Sequence, residues 1–240
     1  MIKLEKKESI YFLTMDADEN RWNTTFVREI ADALDAIEND DGPGALITSS
    51  TNQKFYSNGL DLEWMQAPEK HPDGGDREVF GEEFMYLMGR FITLPIPTIC
   101  AINGHAFGAG FMFALSHDVR IMREDRGFIC ANEMQLGLPI PRPELALFKH
   151  KIPANSFFET VQLSKRWTGS NALKAGIIQG VCSYEELPEV TLKKAEELAP
   201  LANNRKNFGL QKEMLYGENA AINLNHGPAH MLKNSKDFEI

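Results

Sequence analysis

Apolar and polar positions change their period several times along the chain. Residues 9–15, SIYFLTM, form a short run rich in aromatic and β-branched residues and predict a strand. Phe26, Ile30, Ala33, Leu34 and Ile37 then recur at helical spacing behind a cap at Asn23 or Thr24, and DDGPG closes that helix. ALITSS (45–50) predicts a second strand, and a helix is expected to begin near Leu60. Residues 67–76, APEKHPDGGD, are polar and rich in Pro and Gly, so a mobile loop is expected there. A helix over 77–91 and a buried strand at TICAI (98–102), just after Pro97, follow. A glycine turn, a helix to about Ser116 and two strands at VRIM and GFICA complete the alternating part. The remainder reads as mostly helical, with a capped helix in TGSNALKAG ending at Gly176 and one short strand near Val181. Strands alternating with helices predict an α/β fold of β-α units with helices packed outside.

Composition narrows the choice of partner. With 43% apolar residues, the 240-residue chain can bury a sizeable core. Its 25 basic and 34 acidic residues leave a charge of −9, which argues against a nucleic acid held through its phosphates. Cys100, Cys130 and Cys182 are odd in number and widely spaced, the pattern of free thiols rather than of disulfides or a zinc site. No apolar run approaches the roughly 18 residues of a membrane span. The start MIKLEKKESI lacks a signal-peptide core, and the last three residues are not a peroxisomal signal. A cytoplasmic protein without membrane association is expected.

Two stretches raise a chemical question. AINGHAFGAGFMFAL (101–115) and KFYSNGLDLEWM (54–65) each run from a strand through a glycine turn into a helix. Such turns can leave backbone N–H groups without internal acceptors. No lysine stands in the second turn to meet a phosphate, whereas an oxyanion needs only well-placed N–H donors in a dry setting. Phe107, Phe111 and Phe113 would provide that setting. The same glycines equally suit a plain tight turn with close helix packing.

Taken together, SNGLDL, AINGHAFGAG and NEMQLGL, in this order and spacing, resemble the crotonase (enoyl-CoA hydratase/isomerase) superfamily, from about Ile10 to about Lys212. The resemblance implies a crotonase-like spiral of β-β-α units over residues 1–190. It also implies a helical C-terminal region, 191–240, that assembles a homotrimer or hexamer and covers coenzyme A. The implied partner is an acyl-CoA thioester, with no cofactor beyond the coenzyme A of the substrate and no metal. The implied oxyanion donors are the N–H groups of Leu60 and Ala109. Ser57, Asn58, Gly59, Gly108 and Lys212 are the implied substrate-binding positions, Lys212 near the nucleotide.

Hydratases of the family place one glutamate after the second glycine turn and another in the downstream motif. Here the first place holds Met112, which cannot exchange a proton, and the second holds Glu133. One carboxylate suits a Δ3,Δ2-enoyl-CoA isomerase, in which Glu133 carries a proton from C2 to C4 through a thioester dienolate. Hydration with an unrecognised second acid, thioester hydrolysis, and an inactive acyl-CoA-binding scaffold are the alternatives, and fatty-acid β-oxidation is the implied setting. Glu144, after PIPRP, is the second candidate acid or base. Asp61 and Asp118 read as structural and His105 as packed, and Trp64, Phe84 and Met88 are candidates for an acyl pocket.

Overall fold

The computed structural model describes residues 1–218, 222–223 and 226–238. The C-terminal tripeptide weighed above therefore falls mostly outside the described residues, as does part of the tail after Gly217. The chain opens with β1 (Ile2–Lys7), β2 (Ile10–Met15) and α1 (Thr24–Glu38). Next come β3 (Ala45–Ser50), β4 (Phe55–Ser57), α2 (Leu62–Gln66) and α3 (Phe80–Thr93). Two similar passages follow: β5 (Thr98–Ile102), β6 (His105–Phe107) and α4 (Ala109–Leu115), then β7 (Val119–Arg123), β8 (Ile129–Cys130) and α5 (Arg142–Lys151). Beyond these lie α6 (Ala154–Val161), α7 (Gly169–Lys174), β9 (Gly180–Cys182), α8 (Leu187–Leu198), α9 (Arg205–Tyr216) and α10 (Pro228–Lys233).

The three β-β-α passages divide their strands between two sheets. The first strand of each enters a six-stranded sheet of order β1-β2-β3-β5-β7-β9, and the second enters a three-stranded sheet of order β4-β6-β8. Every pair in both sheets is parallel except β1–β2. This is the spiral of β-β-α units the motifs imply. TICAI is buried along its whole length, as a strand covered on both faces must be.

Local signals place most elements where the sequence predicts them. The Asn23 side chain accepts from the Phe26 N–H at 2.9 Å and starts α1, whose buried residues include Phe26, Ile30, Ala33, Leu34 and Ile37. One strand is added and two expectations change. The charged stretch IKLEKK forms the edge strand β1, with Ile2 and Leu4 half-buried and its lysines outward. The 67–76 loop is tied down: Arg77 donates to the carbonyls of Trp64 and His71, at 2.7 and 2.9 Å, and Thr25 donates to that of Asp73 at 2.9 Å. A division between residues 190 and 191 falls inside α8, whose Leu187 and Ala195 pack with Ile47 and Ile99 of the large sheet. Trp64, Phe84 and Met88 belong to the packed core.

Candidate functional site

Parallel pairing brings the two glycine turns together. β4 and β6 lie side by side, with Phe55 opposite His105 and Ser57 opposite Ala106, so the turns leave neighbouring strands at the same end. β8 extends the row, with Phe107 opposite Cys130, and the Gly108 N–H continues the ladder to the Cys130 carbonyl at 3.0 Å. Leu60, Ala109 and Glu133 each sit just past the carboxyl end of one of these three strands. Ligands bind preferentially at such ends of parallel sheets.

Glycine is required where the turns meet. Gly59 has φ +80°, and a Cβ there would stand 2.8 Å from the Phe107 carbonyl oxygen and 3.8 Å from the Ala109 nitrogen. Gly108 has φ 49° and ψ −120°, and a Cβ there would lie 3.1 Å from Glu133 Oε1. Backbone conformation and close approach thus both demand glycine at these two positions. Among the described residues neither the Leu60 N–H nor the Ala109 N–H donates a hydrogen bond, whereas the nearby Asp61, Phe111 and Met112 amides are engaged. Ala109 is the first residue of α4, so its N–H has no acceptor within the helix.

The first turn is braced by residues for which the sequence offers little signal. The Trp22 backbone receives the Asp61 N–H and donates to the Gly59 carbonyl, both at 2.9 Å. Its indole N–H donates to Ser57 Oγ at 3.0 Å, and its ring is buried edge-on to Phe26, Phe84 and Phe113. Asn20 holds the Tyr56 carbonyl at 3.0 Å. Both are isolated polar-capable positions between elements, which periodicity does not distinguish.

Glu133 opens a short 3-10 turn, Glu133–Leu136, after β8. Its Oε2 is buried and has no hydrogen-bond partner among the described residues. Burial pushes this carboxyl above the ordinary carboxylate range, and its own backbone N–H only partly offsets that. Met112 is buried in α4, as its apolar chain requires. Glu144, in the first turn of α5, is 7% exposed; burial first, and the charge of Glu133 second, push its carboxyl up to about 8.

The implied substrate-binding positions fare unequally. Gly59 and Gly108 shape the junction of the turns. Ser57 is fully buried and donates to the Asn20 carbonyl at 2.7 Å, so its side chain is scaffold. Both the backbone N–H and the side-chain amide of Asn58 are held by Glu19, at 2.9 and 2.7 Å, which leaves its carbonyl for any ligand. Lys212 is a correction. It is buried, and its ammonium donates to Asp118 Oδ2 at 2.7 Å and to the Ile96 carbonyl at 3.0 Å. Asp118 also accepts from the Thr98 N–H and Oγ1, so it is structural. The i, i+4 run of α9 does not reveal this, because the lysine's partner lies 94 residues away. Lys212→Met should therefore lower thermal stability, by about 3–5 kcal/mol for one uncompensated buried charge. It should leave KM for an acyl-CoA unchanged in steady-state kinetics.

His105 is half-buried between Phe55, Phe107 and Phe128, with burial lowering its pKa. Tertiary packing also gathers Glu218, His226 and His230, which linear spacing does not suggest. The two imidazoles stack at 4.4 Å and 17°, with their Nδ1 atoms 3.7 and 3.8 Å from the Glu218 carboxylate. No helix among the described residues is long and apolar enough to cross a membrane.

The family model described as enoyl-CoA hydratase/isomerase matches residues 5–222. Enoyl-CoA delta isomerase 3 of Arabidopsis thaliana is 32% identical over 222 residues, 91% of this chain and 93% of its own. Enoyl-CoA delta isomerase 2, peroxisomal, of the same plant is 31% identical over 227 residues, 92% of this chain and 95% of its own. The crystal structure of human mitochondrial delta3-delta2-enoyl-CoA isomerase shares the fold, with a TM-score of 0.77 at 23% identity over 89% of this chain and 82% of that one.

Proposed function

The chain belongs to the enoyl-CoA hydratase/isomerase family, and within it we propose that it is an isomerase moving the double bond of a 3-enoyl-CoA to the 2-position. One observation carries this reading: two unclaimed backbone N–H groups and a buried carboxylate with an unpartnered oxygen meet at one point. The thioester oxygen sits between the Leu60 and Ala109 N–H groups. Glu133, as carboxylate, takes the proton from C2; the electron pair left behind delocalises over C2–C4 and onto the oxygen as a dienolate. The same carboxyl returns the proton to C4, so that the double bond ends between C2 and C3 and no atom is gained or lost. The two donors oppose the charge that develops on the oxygen, where preorganised dipoles act most strongly. Burial makes Glu133 a stronger base than an exposed glutamate. The Arabidopsis relatives named enoyl-CoA delta isomerases support the same reaction.

Two continuous absorbance assays test this. With 3-hexenoyl-CoA the signal of the conjugated 2-enoyl thioester should rise; with 2-hexenoyl-CoA in excess water it should not fall. A fall would favour the second reading, hydration, with the buried Glu144, whose carboxyl is pushed up to about 8, as the candidate second acid. Neither change would turn the assignment towards another thioester reaction or a binding role.

The pH profile follows from the base. Glu133 must be ionised to act, and burial holds its folded pKa above the ordinary glutamate value of 4.5. As pH falls through that raised value, kcat/KM should drop tenfold per unit, so the acid limb should lie above pH 4.5. A stopped-time pH series checks this, and a limb at or below 4.5 would remove Glu133 as the base.

We expect a homotrimer or hexamer built through the C-terminal helices, where Leu201 and Leu210 are 62% and 57% exposed. Light scattering after size exclusion measures it directly.

A further inference from the structure

The C-terminal region holds a cluster of ligating groups that the double-bond shift does not use. Gly217 caps α9 and Glu218 follows it; His226 lies just before α10 and His230 within it. The two histidines are four residues apart, about one helical turn, and their imidazoles stack at 4.4 Å. The backbone brings them to the glutamate. The Gly227 N–H donates to the Gly217 carbonyl at 3.0 Å, and Asn223 Nδ2 donates to the same oxygen at 3.3 Å. A Cβ at Gly227 would stand 2.1 Å from the Tyr216 carbonyl oxygen, so this closure needs glycine. As a result His226 Nδ1 lies 3.7 Å from one oxygen of Glu218 and His230 Nδ1 3.8 Å from the other. The His226 side chain is 33% exposed, yet its Nδ1 is buried and has no hydrogen-bond partner among the described residues. We propose that Glu218, His226 and His230 form a site for a divalent transition-metal ion that clasps the end of α9 to the start of α10.

The distances favour a metal ion over a proton. An ionised carboxylate only accepts, and so does an unprotonated imidazole nitrogen, so these atoms are drawn together by something electron-poor between them. A proton shared between nitrogen and oxygen brings the heavy atoms to about 2.7–2.9 Å. Two ligands about 2.1 Å from one ion, at a tetrahedral angle, stand about 3.4 Å apart. The spacings of 3.7 and 3.8 Å lie nearer the second value, and one ligand atom from each of the three residues falls within 4.8 Å of the others. The remaining gap closes by rotation of the Glu218 side chain, which is 66% exposed.

Two imidazoles and one carboxylate suit zinc(II) and its transition-metal neighbours, whereas calcium and magnesium take oxygen ligands. Phe238 packs edge-on against both imidazoles, with ring centroids at 5.4 and 6.0 Å, and so steadies their planes. Lys233 of α10 is paired with Glu213 at 2.9 Å, which leaves the Glu218 charge to the ion. Glu213, Glu218 and His230 line an open cleft that gives the ion a way in. None of the three ligands belongs to the glycine turns or to the turn of Glu133, so the ion serves structure rather than the reaction.

The test takes the full chain, free of any affinity tag and stripped with EDTA, and titrates it with zinc chloride by isothermal calorimetry. One zinc ion per chain should bind. At zinc one hundred times the Kd, the melting temperature should rise by about 5–10 °C. His226→Ala and His230→Ala should each weaken binding about tenfold or more and cancel most of that rise. Glu218→Gln should weaken it as well, and this substitution at an exposed side chain decides the matter if a histidine variant folds poorly. His71→Ala, which removes a histidine elsewhere, should bind zinc as wild type does. Zinc-edge X-ray absorption should show two imidazole nitrogens at about 2.0–2.1 Å. Absence of stoichiometric binding, full binding retained in all three ligand variants, equal loss in His71→Ala, or an absorption spectrum without imidazole scattering would overturn the proposal.

Discussion

Glu133→Gln should lower isomerase kcat by about 10³-fold or more, within the range general acid–base catalysis supplies and at its upper end because one group serves both transfers. Glutamine matches glutamate in shape, so the 3-10 turn after β8 and the close approach to Gly108 should survive. The Leu60 and Ala109 amides are untouched, and KM should change little, because they still bind the thioester oxygen of the substrate. The sign of the stability effect separates this from misfolding. The folded protein binds the Glu133 proton more tightly than the unfolded chain does, so at neutral pH the buried charge costs stability. Removing the charge should leave the melting temperature unchanged or raise it, as happens where function maintains a strained group. Substrate incubated in heavy water with the variant should also exchange at neither C2 nor C4. Turnover at the wild-type rate would rule out Glu133 as the shuttle.

The second large effect is expected from Ala109→Pro. An oxyanion donor on the backbone cannot be removed by trimming a side chain, but proline lacks the N–H. Ala109 is the first residue of α4, the helical position that tolerates proline because its amide has no partner in the helix. The helix should therefore persist, and far-ultraviolet circular dichroism should be unchanged. Loss of one such donor costs about 10²–10³ in kcat. The ring also occupies the space in front of the lost N–H, so KM should rise as well. Ala109→Ser, which keeps the amide, is the control and should retain most of the activity. Equal loss in the serine variant would point to crowding rather than to the donor.

The legibility of the site varies residue by residue. Gly59 and Gly108 can be read from the sequence because a turn between strand and helix advertises itself through glycine. Glu133 is marked by its motif, not by its neighbourhood: a lone glutamate after a short strand has no local signature. Lys212 shows the opposite failure. On the helical wheel it is an ordinary polar position, and only the long-range contact with Asp118 shows that its charge is spent inside the protein. β1 is missed for a similar reason, since its lysines mask an alternation that becomes meaningful only once β2 lies beside it.

The sequence by itself determined most of the order of strands and helices, the alternation that makes an α/β fold, the two glycine turns, and a methionine rather than a carboxylate at position 112. These are local properties, set by side-chain period, backbone freedom and residue chemistry. Only the tertiary structure decided that Leu60, Ala109 and Glu133 emerge at one end of three neighbouring parallel strands, that Trp22 braces the first turn, and that Glu144 is buried. Register and packing bring together residues far apart in sequence, and the proton affinity of a buried carboxyl depends on what packing leaves around it.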